Sequence, residues 1–127
     1  MSAFGLDGRA VLITGASGGI GRATAHAVSD AGGRVVAVGR RTAALAETVD
    51  ELSGSGHFAI VADIVDHAAN ADLLADAVAA VGPLRGLVHC AGEHLRSPLR
   101  THRPDRTNAV FDLSVTSALS LMKAFRT

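Results

Sequence analysis

The chain has 127 residues, of which 48% are hydrophobic, and its formal net charge at pH 7 is zero, which suits one domain with a hydrophobic core. The composition argues against a disordered or fibrous protein, and dispersed arginines in a neutral chain give no electrostatic basis for binding nucleic acid or an anionic membrane. A single cysteine excludes an internal disulfide, and no apolar run has the length of a signal core or membrane span, so we expect a cytoplasmic domain.

Strand-like and helix-like segments alternate along the chain. Short apolar or β-branched runs predict four strands, at 9–15, 34–39, 57–63 and 84–92. Helical periodicity predicts four helices, at 19–32, 42–54, 66–83 and 108–125. We expect Thr42 and Asp66 to be the N-caps of the second and third helices, and a polar loop over 93–107 to precede the fourth.

This alternation predicts the fold class. Four β-α units with short links and almost continuously apolar strands indicate a parallel sheet that is covered by helices on both faces. Right-handed crossovers make it a doubly wound, Rossmann-type α/β sheet with the strand order 3-2-1-4. Because the sequence shows neither an internal repeat nor a linker, we predict a single domain over residues 1–127.

The stretch TGASGGIG, residues 14–21, places four glycines directly after the first strand. Ligands of doubly wound sheets bind beyond the carboxyl ends of the strands, and the N-terminus of a helix there favours a phosphate. Gly15 permits a sharp turn, Gly19 lets a pyrophosphate approach the backbone, and Gly21 allows the helix to pack close to the strand. A turn without a ligand is the alternative, although it needs fewer glycines.

Three motifs in order resemble the short-chain dehydrogenase/reductase family over essentially the whole chain. They are TGASGGIG, the pair Asp63-Ile64 after the third strand, and HCAG after the fourth strand. The resemblance implies a bound NAD(P) cofactor that these motifs hold. It assigns the pyrophosphate to Gly15, Ser17, Gly18, Gly19, Ile20 and Gly21, the adenine to Asp63 and Ile64, and the ribose and nicotinamide to Cys90, Ala91 and Gly92. For Asp63, a cap or turn at the strand end is the alternative.

The end of the second strand, VVAVGRR, bears on the choice of cofactor. An NAD-preferring site has a carboxylate here, which accepts hydrogen bonds from the ribose hydroxyls. This chain has Gly39 instead, followed by Arg40 and Arg41, and a guanidinium suits a 2′-phosphate. We therefore predict NADP(H) rather than NAD(H), with Arg40 more important than Arg41. Two solvated arginines are the alternative.

The segment HCAGEH contains residue types that bind zinc, namely His89, Cys90, Glu93 and His94. However, His89 and Cys90 are adjacent in a predicted strand, so their side chains point to opposite faces of the sheet. We predict no metal site here.

Catalysis in the family depends on residues that this chain lacks. The resemblance implies a tyrosine as general acid/base, a lysine four residues later, a serine that orients the substrate and an asparagine that supports a proton relay. The sequence contains no tyrosine, and Ser114 stands at the position that resembles the asparagine. Its only lysine, Lys123, lies where the family pattern does not place the catalytic one.

We therefore expect the cofactor-binding part of an NADP(H)-dependent oxidoreductase that acts on a carbonyl or secondary alcohol. It would lack the C-terminal strands of the family fold, be inactive alone, and meet a small-molecule substrate only together with a C-terminal part. The alternatives are a non-catalytic NADP(H)-binding sensor or partner-binding module, and an assembly fragment that binds no nucleotide.

The last predicted helix has an apolar stripe that is too wide for one neighbour, formed by Val110, Leu113, Ala118, Leu121, Met122 and Phe125. The fourth strand would also be an open apolar edge. We expect a missing C-terminal half, a second copy of the chain or another partner to cover this surface. Helices at this position resemble those through which family members dimerise.

Overall fold

The computed structural model describes residues 5–93 and 95–126. Its centre is a parallel sheet with the strand order β3-β2-β1-β4, which confirms the predicted fold class and order. The strands are β1 (Ala10–Thr14), β2 (Arg34–Gly39), β3 (Phe58–Val61) and β4 (Leu84–His89). The two inner strands, β1 and β2, are almost fully buried, which explains why their sequences are almost continuously apolar.

Five α-helices accompany the sheet in the described residues. They are α1 (Gly19–Asp30), α2 (Thr42–Asp50), α3 (Asn70–Val81), α4 (Pro104–Phe111) and α5 (Ser117–Arg126). Successive side chains of a strand point to opposite faces, so Leu12 enters one core cluster with residues of α3 and α5. Ile13 enters a second cluster with residues of α1 and α2. The sheet is thus covered on both faces, as its sequence predicts.

Residues 108–125 are helical throughout, as predicted, but the helix is not an α-helix along its whole length. Helix α4 begins earlier, at Pro104, and a π-helical turn over Asp112–Thr116 separates it from α5. Proline is favoured in the first helical turn because its missing N–H has no partner to lose there. Part of the predicted loop 93–107 is therefore helical, with a further 3-10 turn at Leu99–Thr101.

The predicted N-caps also differ from the structure. Thr42 is the first residue of α2 and Arg41 is its N-cap, without a side-chain cap hydrogen bond. Asp66 precedes a 3-10 turn over His67–Ala69 rather than α3 itself, and its side chain makes no cap bond either.

Strand β4 lies at an edge of the sheet and its residues are at most half-buried. It ends at His89, before the predicted bound at residue 92, and residues 90–93 belong to neither a strand nor a helix. Within the described ranges, no helix combines the length and apolar character needed to cross a membrane.

Candidate functional site

A cleft of about 610 Å³ opens at the carboxyl ends of the strands. Its walls are the glycine-rich turn after β1, the end of β2, the turn after β3 and the segment after β4. Of the predicted cofactor residues, all but Gly21 line it: Gly15, Ser17, Gly18, Gly19, Ile20, Arg40, Arg41, Asp63, Ile64, Cys90, Ala91 and Gly92. Segments that lie far apart in the sequence thus meet at the end of the sheet where doubly wound folds bind ligands.

Three glycines shape this cleft for different reasons. Gly15 has a φ of +65°, and a Cβ there would lie 2.7 Å from the backbone nitrogen of Ala91. A Cβ at Gly21 would overlap the carbonyl oxygen of Gly15, so the start of α1 packs directly on the turn. Gly19 has a φ of +56° but open space around its Cβ position. The cleft therefore has bare backbone at Gly19, which fits a group that approaches the main chain closely.

Helix α1 points its N-terminus into this cleft. The N-cap is Gly18, no side chain caps the helix, and the first turn contains no acidic residue. The N–H groups of a first helical turn lack intrahelical partners and carry a partial positive charge. The local structure therefore suits a phosphate group, and the chain supplies no anionic side chain of its own in that turn.

His89 connects the glycine-rich turn to the π turn through a hydrogen-bond network. Its Nε2 lies 3.1 Å from the carbonyl oxygen of Leu113, and its Nδ1 lies 2.9 Å from Oγ1 of Thr14. A carbonyl only accepts, so Nε2 carries the proton, and Nδ1 of the neutral ring accepts from the Thr14 hydroxyl. Oγ1 of Thr14 accepts in turn from the N–H groups of Cys90 at 3.1 Å and Ala91 at 3.3 Å.

This role of His89 was missed by sequence reasoning, which considered the residue only as a metal ligand. The missing information is the register, since Thr14 is the direct partner of His89 in the β1–β4 pair. A threonine and a histidine at the ends of two predicted neighbouring strands are the only sequence signal.

Replacing His89 with alanine is expected to lower the free energy of unfolding by about 2–3 kcal/mol, because the Leu113 carbonyl and the Thr14 hydroxyl each lose a partner. Urea denaturation followed by circular dichroism measures this. His102→Ala is the matched control: His102 is exposed, and its replacement should change stability by less than about 0.5 kcal/mol. Equal stabilities of the two variants would contradict the structural role of His89.

Arg40 and Arg41 are exposed, follow β2 and line the cleft. Nη2 of Arg41 lies 3.5 Å from the Cβ position that Gly18 lacks, so this guanidinium lies beside the glycine-rich turn. Both arginines thus line the cleft, and the greater importance of Arg40 for a 2′-phosphate stays a prediction. Asp63 is the only acidic side chain among the described residues that line the cleft.

The pair Asp63-Ile64 forms the wall after β3. Oδ1 of Asp63 accepts a hydrogen bond from the N–H of Val65 at 3.3 Å, so the turn role considered for this residue is present. Ile64 is buried, and its carbonyl accepts from Nδ2 of Asn70 and from Oγ of Ser117, each at 3.0 Å. Two buried side chains from α3 and α5 therefore fix the position of this wall.

Ser114 lies in the π turn, half-buried, with its Oγ 3.7 Å from the Cβ position that Gly92 lacks. The structure thus brings it next to the cleft, although it does not line it. Its neighbour Leu113 lines the cleft, and the carbonyl oxygen of Leu113 accepts the hydrogen bond from His89.

Within residues 5–93 and 95–126, no group of three or more His, Cys, Asp and Glu side chains could hold a metal ion. His89 and Cys90 point to different partners: Cys90 packs with the cluster under α1 and α2, with Sγ 3.8 Å from Oγ1 of Thr24. His94, the fourth residue of the metal motif considered, lies outside the described residues.

At the surface, Arg22 of α1 forms ion pairs with Glu47 of α2 and with Glu51, the residue that follows α2. The hydrogen bond from Arg22 lowers the pKa of the Glu51 carboxyl, and the same bond raises the pKa of the Arg22 guanidinium. Because the pKa of Glu51 is lower in the folded chain, this stabilisation is present above the ordinary glutamate pKa and is lost as the pH falls through the lowered value. Both side chains lie at the surface, so the contribution is small.

Comparisons with known proteins agree with this geometry. The family model for short chain dehydrogenase matches residues 9–127. An uncharacterized oxidoreductase of Mycobacterium tuberculosis is 31% identical over 125 residues, which cover 98% of this chain and 46% of that protein. L-xylulose reductase of Mesocricetus auratus is 38% identical over 111 residues, which cover 87% of this chain and 41% of that protein.

Solved structures give the same result. A short chain dehydrogenase from Mycobacterium smegmatis superposes with a TM-score of 0.86 at 30% identity, covering 94% of this chain and 50% of that one. A short-chain type dehydrogenase/reductase from Mycobacterium ulcerans has a TM-score of 0.86 at 29% identity, covering 96% of this chain and 46% of that one. The chain spans about half the length of each of these four proteins.

Proposed function

The chain belongs to the short-chain dehydrogenase family, and from this premise we propose that it is the cofactor-binding part of an NADP(H)-dependent oxidoreductase acting on a carbonyl or secondary alcohol. The observation that carries the proposal is the cleft at the carboxyl ends of the strands, where bare glycine backbone meets an uncapped helix N-terminus and two arginines. The domain bounds 1–127 and a cytoplasmic location are parts of the same proposal.

Each wall of the cleft has a role in this proposal. The first turn of α1 donates N–H groups to the pyrophosphate, and the backbone at Gly19 leaves room for it. Arg40 and Arg41 bind the 2′-phosphate through charge-assisted hydrogen bonds. Ile64 and Asp63 lie against the adenine, and the segment Cys90–Gly92 lies beside the ribose and nicotinamide. The nicotinamide, when bound, supplies or accepts the hydride.

Proton transfer is the part of the reaction that this chain does not provide. Reduction of a carbonyl needs a donor whose pKa matches the developing alkoxide, and the sequence contains no tyrosine. His89 already uses both ring nitrogens within the protein. Ser114 is a hydroxyl close to Gly92, but no base in the described residues forms a hydrogen bond with it. We propose that the chain binds the cofactor without turnover.

A calorimetric titration with NADPH tests this proposal. We expect one equivalent of NADPH to bind, and we expect no loss of NADPH absorbance when the same preparation is mixed with a panel of aldehydes and ketones. Absence of binding would contradict the cofactor assignment and favour an assembly fragment. Turnover by the pure 127-residue chain would contradict only the proposed inactivity.

A non-catalytic NADP(H) sensor is the second candidate, because the same cleft would serve it. The intact mass of the protein from its native source separates the two. A mass well above 12.9 kDa favours the oxidoreductase, whereas a mass of 12.9 kDa combined with NADPH binding favours the sensor.

A second copy of the chain is the partner that we propose for the last helices. Their exposed face carries large apolar side chains at spacings of four, four and three residues: Phe111 (58% exposed), Val115 (46%), Leu119 (61%) and Met122 (55%). This apolar face lies on the helices that follow the open edge strand β4. Apolar faces of this kind on folded proteins mark interaction surfaces.

Leu119→Glu is expected to convert a dimer into a monomer, because it places a charge in the middle of the apolar face. Sedimentation velocity measures the change. Leu99→Glu is the control: Leu99 is 89% exposed and lies outside this face, so its variant should sediment as the unmodified chain does. A monomeric unmodified chain, or equal dissociation in both variants, would argue against this interface.

A further inference from the structure

A second cleft lies at the other end of the sheet, where the strands begin. It has a volume of about 640 Å³ and is lined by Asp7, Gly8, Arg9, Arg34, Pro83 and Arg85. None of these residues belongs to the cleft at the carboxyl ends. Arginines from three separate chain segments therefore line one cleft, together with a single acidic residue, Asp7.

We call this second cleft the arginine cleft. Arg34 is held in place within it. It is the first residue of β2, and its Nε and Nη2 donate to the carbonyl oxygen of Gly8 at 3.3 and 3.2 Å. Its side chain also packs on Gly56, where a Cβ would lie 2.9 Å from Cδ of Arg34. A guanidinium has five N–H donors, so those not directed at Gly8 remain for a ligand.

Arg85 reaches the cleft through an irregularity in β4. Ala10 pairs with Leu84 but the next residue, Val11, pairs with Gly86, so Arg85 is an extra residue in the ladder. Because of this bulge, Leu84 and Leu87 both pack against the same core cluster, which regular alternation does not allow for residues three apart. Bulges redirect side chains, and this one leaves Arg85 exposed in the cleft.

Arg9 completes the group. Its N–H donates to the carbonyl of Leu6 and its carbonyl accepts from the N–H of Arg34, both at 2.8 Å, so the two backbones are fixed side by side. In the described part of the chain, neither Arg9 nor Arg85 forms an ion pair. Asp7 offsets one of the three positive charges, and repulsion among the remaining cations is relieved when an anion binds.

We propose that the arginine cleft binds a dianionic phosphate group, either as inorganic phosphate or as a phosphomonoester. The planar guanidinium donors match the oxygens of phosphate in pairs, and the volume of the cleft admits a phosphate with an attached organic group. The site is independent of the cofactor cleft and does not depend on the proposed function.

Calorimetric titration of the full chain with inorganic phosphate, at constant ionic strength set with sodium chloride, tests the proposal. Arg85→Gln is expected to weaken phosphate binding about tenfold, because it removes a charge-assisted donor pair. Asp7→Asn removes the opposing carboxylate and is expected to tighten binding about threefold. Opposite effects of these two variants would distinguish a defined site from a general loss of structure.

Arg126→Gln is the matched control, because it removes one exposed positive charge on α5, away from the cleft, and it should leave phosphate affinity within about twofold.

Phosphate could also occupy the cofactor cleft. Binding that is lost in Gly19→Ala but kept in Arg85→Gln would place the phosphate there and overturn the proposal, as would the absence of binding at millimolar phosphate. Tighter binding of glycerol phosphate than of inorganic phosphate would identify a phosphomonoester as the ligand, and equal binding would identify free phosphate.

Discussion

Replacing Gly19 with alanine is expected to weaken NADPH binding about a hundredfold, the equivalent of losing about two charge-assisted hydrogen bonds to the pyrophosphate. Gly19 has a φ of +56° and open space around its Cβ position on the cleft. The methyl group would occupy the space in which a pyrophosphate approaches the backbone. Calorimetry gives the dissociation constant, and circular dichroism checks that the variant is folded.

Gly54→Ala is the control for backbone strain. Gly54 also has a positive φ, +75°, with nothing within 4 Å of its Cβ position, but it does not line the cleft. Both variants should lose about 1–2 kcal/mol of stability, the cost of a left-handed conformation for a residue with a Cβ. Only Gly19→Ala should lose affinity for NADPH. Unchanged NADPH affinity in Gly19→Ala would show that the glycine-rich turn does not bind the cofactor.

The double variant Gly39→Asp/Arg40→Ala is expected to reverse the cofactor preference, with NADPH bound about a hundredfold more weakly and NADH at least as well as before. The variant removes a guanidinium from the 2′-phosphate and introduces a carboxylate that accepts hydrogen bonds from ribose hydroxyls. A Cβ at Gly39 would lie 3.3 Å from Cδ1 of Leu45 and 3.4 Å from Oγ of Ser17, so the new side chain needs a shift of a few tenths of an ångström.

Gly39→Ala is the matched control, since it adds the same Cβ without the charge. It should leave the ratio of NADPH to NADH affinity unchanged. Arg40→Ala and Arg41→Ala, titrated separately, then test the ranking of the two arginines, because the guanidinium of Arg41 lies close to Gly18. If the ratio stays within twofold of its original value in the double variant, neither Gly39 nor Arg40 governs the preference.

Most of the cleft could be predicted from the sequence because its residues follow strand ends. In a parallel sheet all carboxyl ends meet at one edge, so the motifs at 14–21, 63–64 and 90–92 had to converge once the strands were identified. At Gly15 and Gly21 the need for glycine is steric, because a Cβ at either position overlaps the backbone. The position of Arg41 relative to Gly18 could not be predicted, since it depends on the conformation of a long exposed side chain.

The helix ends were predicted less well than the strands. The last helix shows the reason: Oγ of the buried Ser117 lies 3.0 Å from the carbonyl oxygen of Ile64 and 2.7 Å from that of Asp112, so its single proton is shared between two acceptors. The π turn over Asp112–Thr116 ends directly before this serine. Helical periodicity alone describes an uninterrupted helix there. A tertiary hydrogen bond that joins residues 53 positions apart leaves no mark in a local pattern.

The sequence by itself determined the parallel sheet, its order and the end at which a phosphate-bearing ligand would bind, because apolar periodicity and the steric needs of glycine are local properties. Only the tertiary structure decided the partners of His89, the bulge at Arg85 and the convergence of Arg9, Arg34 and Arg85. These depend on the register of strands that are distant in sequence; Thr14 and His89 are 75 residues apart. Register is set by how the core packs, and a single residue's shift there moves a side chain from the interior to a cleft.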